Sequence, residues 1–189
     1  MNDDRPVSAH RHVVPAFTLF GTGRYALDKA RRTNKGSRHE LLTAVLMAAL
    51  AFEAFLNQAG QYTWGVESQA WAAVERLSPM DKLKAIAERA GFPLDLGVRP
   101  VQTLSAVCRF RNDIVHAKPE YCEAEIARGV AAANPLLSLE ELSARWERDC
   151  TVEFAERALG DLEELTDLLS QHLRMSNPLH FGGLAGWSE

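Results

Sequence analysis

Apolar positions recur along most of this chain at the three-to-four-residue spacing of a helix face. No run of alternating apolar and polar residues lasts long enough to make a strand. The pattern predicts an all-α fold, a single helical bundle built around an up-down core of four to five helices. A first helix is expected from about Phe17 or Gly21 to Asn34, ended by Lys35-Gly36. The next, from about Ser37 to Gln61, is apolar on nearly every face, which assigns it to the centre of the bundle. A shorter amphipathic piece covers about Glu67 to Leu77. Ser78-Pro79-Met80-Asp81 then offers a capping hydroxyl, a proline at the first helical position and an acid in the first turn, and Gly91 marks the stop. Pro100 opens a further helix, with Val101, Leu104, Val107, Cys108, Ile114 and Val115 on its apolar side.

The second half is less regular. EYCEAEIARGVAAAN, within residues 117–137, reads as a short helix before Pro135. Ser138-Leu139-Glu140-Glu141 is a capping-box pattern that starts a long acidic helical region reaching about Arg174, with a break near Cys150. Residues 1–16 are expected to form a flexible basic arm, 17–175 the helical domain and 176–189, with HFGGLAGW, a tail. At 189 residues and 47% hydrophobic, the chain suits one core rather than two.

Leu41 to Leu56 is the most apolar run. It falls short of the ~18 residues of a membrane span and contains Glu53, so a buried core helix, with no membrane partner, is expected. The first residues lack the apolar stretch of a secretory signal. Cys108, Cys122 and Cys150 form neither an even set nor a C-x-x-C pair, which suggests no disulfide framework or zinc knuckle and fits a reducing, cytoplasmic setting. No cofactor or metal is expected, because the sequence has no glycine-rich phosphate loop, no G-x-S-x-G and no paired-carboxylate metal motif. The net charge of −4 hides an asymmetry: residues 1–39 carry eight Lys/Arg against three Asp, and the remainder thirteen against twenty-two acids. A polyanion is therefore expected to be met near RRTNKGSRH, residues 31–39, unless those cations form only a solvated turn.

The chemistry concentrates in RFRNDIVHAKPE, residues 109–120. Spacing alone proves little, since about 0.5 Arg-x4-His matches are expected by chance and Arg5 to His10 is another. At ~3.6 residues per turn, Asn112 and His116 share a face, while Arg111 lies ~140° around and joins them through its long side chain. His116 falls in the last turn, where the helix C-terminal dipole favours the imidazolium. One reading makes His116 a helix cap and Arg111 an ion-paired side chain. The other makes them a pair for phosphodiester transfer, with His116 moving protons at the ribose 2′-OH or leaving oxygen and Arg111 stabilising charge at phosphorus.

RNDIVH followed by HAKP resembles the Arg-Asn-x3-His signature of the HEPN superfamily, all-helical domains that include metal-independent RNases. AFEAFLNQ (51–58), MDKLKAI (80–86) and the later helical region are similar to that family's layout, so the resemblance spans roughly residues 37–175. It implies a homodimer in which the motif helices of two protomers meet in one composite cleft. It also implies Arg111, Asn112 and His116 as site residues, with Arg109 and Lys118 as phosphate contacts or, alternatively, free surface charges.

Glu53 is the other unusual residue. A carboxylate between LMAALAF and AFL needs a partner, because an unpaired buried charge costs several kcal/mol. It is expected to pair with Arg111 or Asn112 and orient the motif helix, with Asn57 one turn further along as support; pairing for packing alone predicts the same contact. Three functions remain open. The first is a HEPN-type endoribonuclease leaving a 2′,3′-cyclic phosphate, in the setting of a toxin or defence effector with an antitoxin or other protein partner. The second is a non-catalytic dimer binding RNA, a nucleotide or a protein, and the third is a helical accessory protein.

Overall fold

A computed structural model describes residues 8–11, 13–33, 37–119, 121–122, 143–180 and 185–188. The helices are α1 (Pro15–Arg32), α2 (Ser37–Trp64), α3 (Gln69–Val74), α4 (Pro79–Ala90), α5 (Val101–Val115), α6 (Arg145–Asp149) and α7 (Val152–Leu173). The chain is an all-α bundle whose core comes from the five longer helices. α2 lies at its centre and packs on α1, α4, α5 and α7. Its buried side includes Ala44, Ala48, Ala51 and Ala59, small enough to admit neighbouring helices, and Phe52, Phe55 and Leu56, which fill the remaining volume. By length and composition α2 would suffice to cross a membrane; here the other helices cover its buried residues from Leu41 to Gly60.

Local chemistry sets the boundaries. α1 starts at Pro15, inside the segment assigned to the arm, because proline suits the first helical turn. At α4 the Ser78 hydroxyl accepts the Asp81 N–H at 3.3 Å, and Gly91 ends the helix in the left-handed region at φ 69°. Pro100 caps α5 and follows a cis peptide bond from Arg99. The break expected near Cys150 separates α6 from α7, and α7 restarts with its own cap, Thr151 Oγ1 accepting the Phe154 N–H at 3.1 Å. The expected helix before Pro135 and the Ser138–Glu141 cap lie outside the described residues. Gly60 permits one close approach: a Cβ there would fall within the Trp71 ring, which stacks on Trp64 with centroids 6.2 Å apart.

Two four-residue strands were not anticipated. β1 (Ser8–Arg11) and β2 (Ala185–Ser188) pair antiparallel, Ser8 opposite Ser188 and Arg11 opposite Ala185. They lie in the stretches assigned to the arm and the tail and are too short for alternation to register.

Part of the charge asymmetry is met by ion pairs at the surface of the fold. Arg24, Arg31 and Arg38 pair with Glu163, Glu156 and Glu147 at 3.1, 2.6 and 2.7 Å, and Lys29 pairs with Glu40 at 2.9 Å. Two cations of the 31–39 stretch, Arg31 and Arg38, thus face carboxylates of α7 and α6. The positive charge that stretch could offer a polyanion is reduced accordingly.

Candidate functional site

α5 buries Val101, Thr103, Leu104, Val107 and Phe110 and leaves its last turn at the surface. Arg111, just past Phe110, sits at the edge of the core facing α2. Its Nη2 donates to Glu53 Oε2 at 2.5 Å, and its Nη1 donates to Asn112 Oδ1 at 3.0 Å. Both partners keep some contact with water, the Arg111 side chain at 23% exposure and Glu53 at 26%. Glu53 is therefore half-buried rather than engulfed, since it lies where the apolar face of α2 meets solvent.

The other side of Glu53 meets a cation that the sequence reading overlooked. Lys82 of α4 is 3% exposed; its Nζ lies 3.8 Å from Glu53 Oε1 and donates to Asn57 Oδ1 at 2.7 Å. Asn57 thus supports Lys82, not the motif helix directly. The result is a row across three helices: Asn57, Lys82, Glu53, Arg111, Asn112. A signal for Lys82 was available, because it falls on the stripe formed by Leu83, Ile86 and Ala87, where a buried lysine requires acceptors.

His116 closes α5. Its N–H bonds to Asn112 O at 3.0 Å, and among the described residues no side chain hydrogen-bonds its imidazole, which is exposed. Arg109 and Lys118 are exposed too, and neither forms an ion pair among the described residues; Lys118 stands on the rim of an open groove of about 570 Å³ between the end of α5 and α6. Glu53, Arg111 and Asn112 are thus in direct contact, and His116 joins them through the α5 backbone.

Cys108 lies one turn before Arg111. Burial pushes its thiol up to about 11, with the Arg111 cation pulling it down and Glu53 pushing it up by lesser amounts. It stays protonated at neutral pH and supplies no nucleophile. What the site offers is a guanidinium anchored near the end of α5 and, on the same helix, an exposed imidazole at its cap.

Among the described residues no group of three or more His, Cys, Asp or Glu is placed to hold a metal ion. Compared with known proteins, the chain matches no family model, no curated protein and no solved structure.

Proposed function

We propose that the chain is a metal-independent endoribonuclease of HEPN type. His116 removes the proton from a ribose 2′-OH, O2′ attacks phosphorus, and the P–O5′ bond breaks, leaving a 2′,3′-cyclic phosphate and a 5′-OH. An imidazolium, from His116 of a second copy in a composite cleft, returns a proton to O5′. Arg111 donates to the non-bridging oxygens as charge builds there. Cleaving cellular RNA in this way suits a toxin or defence effector restrained by a protein partner in the cytoplasm.

The observation that carries this reading is the state of α5's last turn. Arg111 is anchored by Glu53 at a solvent-reached position, on the helix that ends with an exposed His116. Val115, 61% exposed beside them, supports a second copy of the chain covering this end. The test is incubation of the purified protein with total RNA in EDTA, alongside His116→Ala. Cutting by the wild type and not by the variant is expected; no cutting of any RNA removes the reading.

A non-catalytic RNA-, nucleotide- or protein-binding dimer is the second reading. It is favoured by the contacts Arg111 already makes to Glu53 and Asn112, which use one N–H on each terminal nitrogen of the guanidinium. Binding of RNA without cleavage would select it.

A further inference from the structure

Lys82 has no part in the proposed reaction, yet an ammonium in a helical core needs a reason. Replacing a buried ion pair or triad by apolar side chains of similar volume is often neutral or stabilising, so stability alone does not call for a cation at this position. Its acceptors are Asn57 Oδ1 at 2.7 Å and Glu53 Oε1 at 3.8 Å. Glu53 therefore lies between two cations, and the trio of Lys82, Glu53 and Arg111 holds two positive groups against one carboxylate. Solvent reaches these cations unequally: the Lys82 side chain is 3% exposed and Arg111 23%. Arg111, next to Asn112 and on the helix that His116 ends, is therefore the cation of the trio that an anion in solvent can reach, and it stands beside a carboxylate of similar exposure, 26%.

We propose that Lys82 is a positioning residue that offsets the Glu53 carboxylate from behind, so that Glu53 can anchor Arg111 without cancelling its field toward a phosphate. Without Lys82, Arg111 and Glu53 form a neutral pair that holds the guanidinium in place but attracts anions weakly. With it, the anchor is retained and the trio keeps one net positive charge beside the exposed edge where Arg111 stands. This inference rests on the reading of Arg111 as a phosphate-facing group, and it adds the residue that keeps Arg111 competent for that role.

The test titrates inorganic phosphate into wild type, Lys82→Met, Lys82→Gln and the double variant Lys82→Met/Glu53→Gln at constant ionic strength. The Arg111 side-chain N–H resonance, assigned with Arg111→Lys, reports binding, and circular-dichroism melting reports folding. Both single variants are expected to lose about three- to tenfold in phosphate affinity, the scale of one unit charge removed near a partly exposed site. The double variant is expected to recover wild-type affinity, because one cation against no carboxylate has the same net charge as two against one. Unchanged affinity in the single variants overturns the role of Lys82. Loss in the double variant as well means that Lys82 acts through packing and also overturns it, as does a wild type whose Arg111 resonance ignores phosphate. RNA cutting in EDTA is scored on the same samples. Absence of cutting by a wild type that binds phosphate removes the ribonuclease reading and leaves the role of Lys82 standing.

Discussion

Arg111 and Glu53, 58 residues apart in sequence, meet at 2.5 Å and tie the end of α5 to the middle of α2. The contact is made at the edge of the core, and Lys82 sits on the other oxygen of the same carboxylate. Glu53→Ala would leave two neighbouring cations without their shared anion. We expect a loss of about 2–3 kcal/mol, below the full cost of breaking a buried pair because Arg111 can turn partly to water. Glu53→Gln keeps acceptor and shape and should lose less. Chemical denaturation of the three proteins checks this; a neutral Glu53→Ala would mean the carboxylate carries no structural charge balance.

His116 and Arg111 should separate by substitution. His116→Ala is expected to remove ~10²–10⁴ of the RNA cleavage rate. Arg111→Lys keeps the charge but loses the planar fork, so it should fold and associate normally yet cut poorly. Wild-type rates for both variants would make the motif structural and end the ribonuclease proposal.

A composite cleft requires two copies. The protein is expected to sediment as a homodimer at micromolar concentration, with α5 in an interface of at least ~1,000 Å². Val115→Asp places a charge on the exposed apolar residue next to the motif and should shift the equilibrium toward monomer. A wild type that stays monomeric throughout counts against the cleft.

Asp161 gives a pH prediction remote from the site. Burial pushes its carboxyl up, but hydrogen bonds from Arg99 and Thr103, with the charge of Arg99, pull it further down, to a net position below the ordinary range. Arg99 reaches it through Nε at 2.7 Å and Nη2 at 2.5 Å. A carboxyl lowered on folding contributes stability that is present above the unfolded value of about 3.9 and is lost as pH falls through the folded value. Asp161→Asn should therefore cost about 1–3 kcal/mol at pH 7. The gap should narrow in melts below about pH 4; a gap that stays constant from pH 7 to 2 would show that the carboxylate charge is immaterial.

Much of this was legible where one local signal was enough. Ser78, Pro79 and Gly91 bracket α4 in the sequence as they do in the fold, because caps act within a few residues. Glu53 stood out as a charge in an apolar run, and its need for a partner pointed toward α5. Lys82 was legible only as a position on the stripe of Leu83, Ile86 and Ala87; which acceptors its ammonium finds depends on the packing of α4 on α2. Asp161 was missed for a similar reason: one acid among many on an acidic helix, it is distinguished only by sharing a face with Ala158, Leu162 and Leu165. The β1–β2 pairing joins segments from opposite ends of the sequence, beyond the reach of any window.

The central place of α2 also bears on how the chain comes off the ribosome. α2 is finished by Trp64, but α7, which covers part of its apolar surface and supplies the glutamates for Arg24 and Arg31, starts only at Val152. At roughly 5–20 residues per second, translation leaves that surface uncovered for several seconds. During that interval α1, α4 and α5 can already pack on α2, but the side that α7 covers stays open, the kind of apolar surface that holding chaperones capture. A ribosome stalled before α7 should therefore expose a sticky, protease-sensitive intermediate, whereas one stalled far enough beyond it should release a chain that closes on itself.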